Sequence, residues 1–281
     1  MSLKELRRRI SSVKSTQKIT AAMKMVASAK LRRLQERVHF GSEYIERLNL
    51  IGSYLGKVSQ DLEIVSPWLS AEGDRDLVIV FGAEKGLCGS FHNNLIRKIN
   101  QVLEEHFNAQ VVIFGAKAID TLKDRYHTNL HFSANFKKPD MQTFLNLAKA
   151  IEPLKKSGEI GRIHIVGSAF KNILSQQVYS KFLCPFVFDS TQTTCDINIF
   201  EPSPDVFLPH FFIQYLSANL HQTWLETLTG EMASRMTAMD NATRNAKDMI
   251  DDLSLVYNRT RQAHITTQLI EIIAGSEGAK Q

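Results

Sequence analysis

Residues 231–273 read EMASRMTAMDNATRNAKDMIDDLSLVYNRTRQAHITTQLIEII, and this run decides the fold. After Pro209 no proline occurs, and only Gly230 interrupts a helical pattern that continues to about Ala274. At about 1.5 Å per residue, those roughly 65 residues predict a helix on the order of 100 Å long. A chain of 281 residues has no globular body large enough to bury such a helix along its whole length. Its apolar stripe is read as Met232, Met236, Met239, Ala242, Ala246, Met249 with Ile250, Leu253, Val256, Ala263, Ile270 and Ile273. That density suits packing of one helix against another.

The other end of the chain supplies the partner. From Leu3 to about Ser59 there is no proline, and apolar or small residues recur at 3, 6, 10, 13, 20, 27, 31, 34 and 38, with gaps at Gln17 and Lys24. Alternating steps of three and four make a heptad-like seam on one helix. A second stripe, Ile19, Met23 and Val26, predicts a second partner for the same helix, and Gly41, Gly52 and Gly56 weaken its distal half. The small residues Ala27, Ala242 and Ala246 predict close approach of the two helices.

Between them the period changes. Leu77 to Phe81, Gln110 to Phe114 and Ile163 to Val166 read as buried strands, and Asn93 to Glu105 reads as a helix. A second helix is expected over Met141 to Glu152, between Asp140 and Pro153. Strand and helix alternate at βαβ spacing. Gln177 to Leu183 and Phe186 to Phe188, parted by Pro185, read as edge strands, and a loop is expected from Asp189 through EPSPDVFLP. The sequence therefore predicts an α/β protein: a long antiparallel coiled coil of N- and C-terminal helices with an inserted Rossmann-like α/β domain. The segments are a coiled-coil helix over 1-59, the α/β domain over 75-190 and a coiled-coil helix over 207-274.

Composition narrows the function. The net charge of +5 is uneven: residues 1–37 hold eleven Lys/Arg against two Asp/Glu, leaving 23 cations and 27 anions for the rest. Cys88, Cys184 and Cys195 form no CxxC pair and are odd in number, which points to reduced thiols in an intracellular compartment. No stretch approaches the roughly 20 apolar residues of a membrane span, and MSLKELRRRI lacks the apolar middle of a secretory signal.

No motif supplies chemistry. Gly82, Gly86 and Gly89 form a turn after a strand and before a helix, where phosphate loops sit. GAEKGLCGS is neither a Walker loop nor GxGxxG, and Lys85 precedes Gly86 where a Walker lysine would follow it, so a structural turn is expected. Cys88 has only His92 near it in sequence and no orienting acid, and the nine histidines show no metal-ligand spacing. Catalytic residues, cofactors and metals are expected to be absent. The cations of the first helix surround it and have no interleaved aromatics, which favours a solvated face, or one turned to acidic protein loops, over a grip on nucleic acid.

LRRRISSVKSTQKITAAMKMVASAKLRR near the start and the 231–273 run resemble the two signature ends of the ATP synthase gamma-subunit family, and EKGLCGSF is similar to that family's central glycine motif. The resemblance covers essentially the whole chain. Ser90, His92, Gln268 and the polar tail AGSEGAKQ depart from the usual pattern. The resemblance implies the central rotor shaft of a proton-translocating F-type ATP synthase. Its partners would be the alpha and beta subunits of the catalytic hexamer, the epsilon subunit and the c-ring, with catalysis on the beta subunits and no nucleic acid. It also implies a protein peripheral to the membrane through the complex, on the cytoplasmic face of a bacterial inner membrane or the matrix side of a mitochondrial one. By position, Lys18, Met23 and Lys24 correspond to the region near the beta subunits' acidic loop, and Arg259, Arg261 and Gln262 to the cluster that meets their catch loop. Cys184 and Cys195 do not match the inserted regulatory cysteine segment of chloroplast relatives.

Overall fold

A computed structural model of the chain describes residues 2–61, 63–64, 66–106, 108–123, 139–173, 175–187 and 203–278. The first helix, α1, runs Leu3–Asp61 and the last, α5, runs Pro204–Gly278. Between them lie β1 (Arg75–Phe81), α2 (Phe91–Glu105), β2 (Gln110–Phe114), α3 (Ala116–Leu122), α4 (Met141–Lys156), β3 (Ile160–Phe170) and β4 (Gln176–Cys184). The chain divides into two compact units, Met1–Ala27 with Met236–Gln281, and Ser28–Arg235, and the division cuts both long helices.

In the Ser28–Arg235 unit, the strands form one sheet in the order β2-β1-β3-β4. β1 pairs in parallel with β2 on one side and β3 on the other, while β4 runs antiparallel to β3. The continuous apolar run of β1 follows from burial on both faces. Leu77, Ile79 and Phe81 join Phe144 of α4 and Leu216 of α5 in one core, and Val78 and Val80 join Leu95 and Ile99 of α2 in the other.

Where the structure departs from the sequence reading, tertiary contacts explain why. α4 does not stop before Pro153 but continues to Lys156. Proline costs the helix its own N–H bond. Here Ser157 N–H closes the last turn on the Pro153 carbonyl, and the buried Lys155 ammonium donates to the carbonyls of Ser70 and Gly161. At its other end Asp140 caps α4 in a reciprocal box with Thr143.

Phe186 and Val187 are not strand. Phe186 donates its N–H to the Trp68 carbonyl and stacks on Phe212 at 5.0 Å, acting as a core plug. Phe188 and residues 189–202, where a loop is expected from the sequence, lie outside the described residues, as does Cys195. α5 begins five residues before Pro209, with Pro204 at a first-turn position that tolerates its missing N–H. α3 was not foreseen: seven residues carry too little periodicity to read.

Two glycines that look like helix weaknesses are close-approach points. A Cβ at Gly41 would stand 2.0 Å from Gln222 Oε1, and Gln222 donates to the Val38 carbonyl at 3.1 Å. A Cβ at Gly230 would stand 3.1 Å from the Phe91 ring. Tyr215 O–H also reaches Asn49 Oδ1 at 2.7 Å, so within this unit α1 and α5 run antiparallel.

Candidate partner-contact surface

In the Met1–Ala27 with Met236–Gln281 unit the two helices are pinned at three levels. Arg7 donates to the Tyr257 hydroxyl at 3.3 Å, Thr243 Oγ1 donates to Thr20 Oγ1 at 2.8 Å, and Lys24 Nζ meets Asp240 Oδ1 at 2.6 Å. Position rises on α1 as it falls on α5, which fixes an antiparallel register. Asp240 also takes Arg244 at 2.5 Å; the Lys24 hydrogen bond, followed by Arg244, holds its carboxyl below the usual carboxylate range.

The α1 seam runs as its spacing predicts, with Leu6, Thr20 and Ala27 buried. Its two gaps, Gln17 and Lys24, are half-buried and continue the same face. The α5 seam keeps part of the apolar reading: Met236, Met239, Ala242, Ala246, Ile250 and Leu253 are shielded from solvent. The seam also includes Thr243, Tyr257 and Thr260, so its three-and-four spacing passes through polar side chains. Met249 and Val256 belong to the exposed side, and so do Ala263, Ile270 and Ile273. Beyond Thr260 the helix continues past the level of Leu3, the first residue of α1. Ile265, Leu269, Ile270, Ile272 and Ile273 are left in solvent.

The six residues singled out from sequence fall in two places. Lys18 is exposed, while Met23 and Lys24 are half-buried, level with Asp240 to Ala246. Arg259, Arg261 and Gln262 are exposed near the first turn of α1. From Asp240 to Arg259 is 19 residues, about 28 Å of helix. The groups are therefore two separate patches. Lys24 is engaged with Asp240, whereas the Arg259 and Arg261 guanidinium groups meet no ion-pair partner among the described residues. The stripe Ile19, Met23 and Val26 presents two exposed members, Ile19 and Val26.

The glycine turn is fixed from outside itself. The buried Glu231 carboxylate accepts the N–H groups of Glu84 and Lys85 at 2.8 and 3.2 Å, and Arg235 donates to the carbonyls of Lys85 and Gly86 and to Glu231. Gly89 and the exposed Leu87 take positive φ, 58° and 62°. The sequence reading missed Glu231 and Arg235; their signal was a charged pair at i, i+4 on the helix stripe that also carries Met232 and Met239. Burial raises the Cys88 thiol above its ordinary pKa, which opposes thiolate formation. Among the described residues no group of three His, Cys, Asp or Glu side chains could hold a metal, and no helix is long and apolar enough to cross a membrane.

Among the described residues, long helices paired in each unit, a four-stranded sheet and exposed cationic and apolar helix surfaces are the features of a class of proteins that can meet other chains through their helices. A family profile described as ATP synthase matches residues 2–278. The ATP synthase gamma chains of Maricaulis maris and Pelagibacter ubique are each 38% identical over 98% of this chain, covering 99% and 98% of their own lengths, and that of Chlorobium luteolum is 35% identical over 98% of both chains. The chain belongs to the ATP synthase gamma-chain family. In fold it is similar to a chain in the rotor of the Euglena gracilis mitochondrial ATP synthase, with TM-score 0.64 and 16% identity over 94% of this chain and 98% of that one. A chain in the central stalk and c-ring of the Tetrahymena thermophila enzyme gives TM-score 0.61 and 23% identity over 80% and 99%.

Proposed function

We propose that the chain is the central rotor shaft of a proton-translocating F-type ATP synthase, a non-catalytic subunit that couples rotation of a membrane c-ring to the conformational cycle of catalytic beta subunits. The observation that carries this reading is family membership across residues 2–278, joined to an α5 whose apolar tip has no partner helix among the described residues. A shaft that turns inside a ring does work only if each orientation stabilises one ring conformation more than the others. The two patches provide asymmetry of this kind: the cationic and apolar surface around Lys18, Met23 and Lys24, and the forked cations Arg259 and Arg261 beside Gln262. Guanidinium forks pair in bidentate fashion with carboxylates, which suits acidic loops on the beta subunits. The middle α/β segment is assigned to the epsilon subunit and the c-ring. The shaft is peripheral to the membrane through the complex, on the cytoplasmic face of a bacterial inner membrane.

Purification of the tagged chain from its source, with mass determination and an ATPase assay, tests the reading. One copy with three alpha and three beta subunits is the expected result. A lone chain retaining nucleic acid, with binding that falls steeply as salt rises, would overturn it.

A further inference from the structure

The sheet order places β1 at the centre, with the chain first crossing to β2 on one side and then to β3 on the other. In open α/β sheets of this kind the crevice beyond the carboxyl end of such a strand is where ligands bind, and phosphates there are held by backbone N–H groups of the first turn. The turn after β1 begins at Gly82, and its N–H groups at Glu84 and Lys85 both point to a single anion. That anion is Glu231, a side chain of α5 that is 1% exposed, with its oxygens 2.8 and 3.2 Å from the two nitrogens. Arg235, 7% exposed, completes the enclosure: its guanidinium lies against the same carboxylate and against the carbonyls of Lys85 and Gly86. A buried carboxylate needs this many donors, since an unpaired one is strongly disfavoured.

We propose that the turn Gly82–Gly89 is an anion-binding cradle of the switch-point type, and that the chain occupies it with its own Glu231 in place of a free carboxylate or phosphate. The cradle takes a small oxyanion with two acceptor oxygens in one plane, the shape a carboxylate presents. Its occupation from within explains how a turn that lacks every phosphate-loop signature still aligns two amides and a guanidinium. It also makes the turn a fixed point on α5, because each of its central peptides is held by one of two side chains a single helical turn apart. The cradle stands on the geometry alone; only its use in holding a rotor rigid rests on the function proposed above.

Removing the internal anion tests this. In the full chain carrying Glu231→Ala, amide exchange at Glu84 and Lys85 is expected to rise by about tenfold or more, the scale of a lost charge-assisted hydrogen bond. Adding acetate should restore protection, whereas chloride at equal ionic strength should not, and Arg235→Ala in the same background should abolish the acetate response. Exchange that is unchanged by Glu231→Ala, or raised without recovery in acetate, overturns the cradle. If the alanine variant does not fold, Glu231→Gln keeps the shape and removes the charge: faster exchange at both amides supports the proposal, and unchanged exchange sinks it. None of these readings depends on alpha or beta subunits. Failure of the wild-type chain to assemble with them would count against the rotor function and leave the cradle decided.

Discussion

The hairpin of residues up to Ala27 with those from Met236 onward, and the body from Ser28 to Arg235, hold themselves together by different means. The body buries aromatic mass: Phe144 is fully buried, with Phe81, Phe114, His221 and Trp224 all within 6.0 Å ring to ring. The hairpin buries small or slender residues, Leu6, Ala27, Met239, Ala246 and Ile250, and fixes its register with polar pairs. The body is thus specified by volume and the hairpin by alignment. An element with a thin seam leaves most of its surface for other chains, which is the arrangement a shaft needs.

The difference breaks most visibly at Phe144. Phe144→Ala opens a cavity where five rings meet and should cost about 3–5 kcal/mol. Thermal unfolding followed in the near ultraviolet should show the loss, and a cost below that of a typical surface change would mean that the body is held by something other than aromatic packing.

Acid should find the body before the hairpin. His164 is buried between His106 and Phe182, 5.2 and 4.3 Å away ring to ring. Burial first, then the neighbouring His106, lowers its pKa from 6.5 to about 4, against the opposing pull of Asp76 and Glu105; Lys98 adds to the lowering. Between pH 6.5 and 4 the unfolded chain takes up a proton that the folded chain refuses. Stability from this group is complete above the upper value and is lost as pH falls, by roughly 3 kcal/mol across the window. Denaturant titrations at several pH values should show that His164→Phe flattens this part of the slope. An unaltered slope would place the acid sensitivity elsewhere, with the Asp76–His106 pair at 2.8 Å as the next group to vary.

How much of this was legible divides along the same line. β1 and β2 were readable because burial on both faces writes an unbroken apolar run, and α1 because a heptad spacing survives in one dimension. The α5 seam was legible only in part: Met239, Ala246, Ile250 and Leu253 lie on it as their apolar spacing suggests. Apolarity led to Met249 and Val256, while the actual line passed through Thr243, Tyr257 and Thr260, whose polar atoms or rings still pack or pair. Asp240 was invisible alone, since its role depends on a register that pairs it with Lys24, 216 positions away. Glu231 and Arg235 were hidden likewise, because a buried ion pair and a solvated i, i+4 pair have the same spelling. Pro153 and Gly41 misled in the opposite sense: each is a breaker whose local cost is offset by a contact from a distant residue.

Within the hairpin, Thr20→Val should cost about 1 kcal/mol or less. It removes the partner of Thr243 Oγ1, but that hydroxyl keeps the Met239 carbonyl at 2.7 Å. The comparison sharpens if the loss appears as faster opening of the hairpin, measured by amide exchange over residues 239–246, with the sheet amides unaffected. A uniform loss in both units would show that they unfold together.

The smallest effect on stability and the clearest on function should come from Arg261→Ala. Its side chain is exposed and meets no ion-pair partner among the described residues, so unfolding should shift by no more than about 0.5 kcal/mol, as for ordinary surface changes. If the forked cation is a contact of the turning shaft, the variant assembled with its hexamer should lose proton pumping per ATP hydrolysed while its melting stays that of the wild type. Removing the second cation with Arg259→Ala, two positions away and about 160° round the helix, should deepen the loss, since both long side chains add to the positive potential around this end of the shaft. Pumping and hydrolysis that remain matched in the double variant would remove this patch from the coupling surface and leave the region of Lys18, Met23 and Lys24 to carry it.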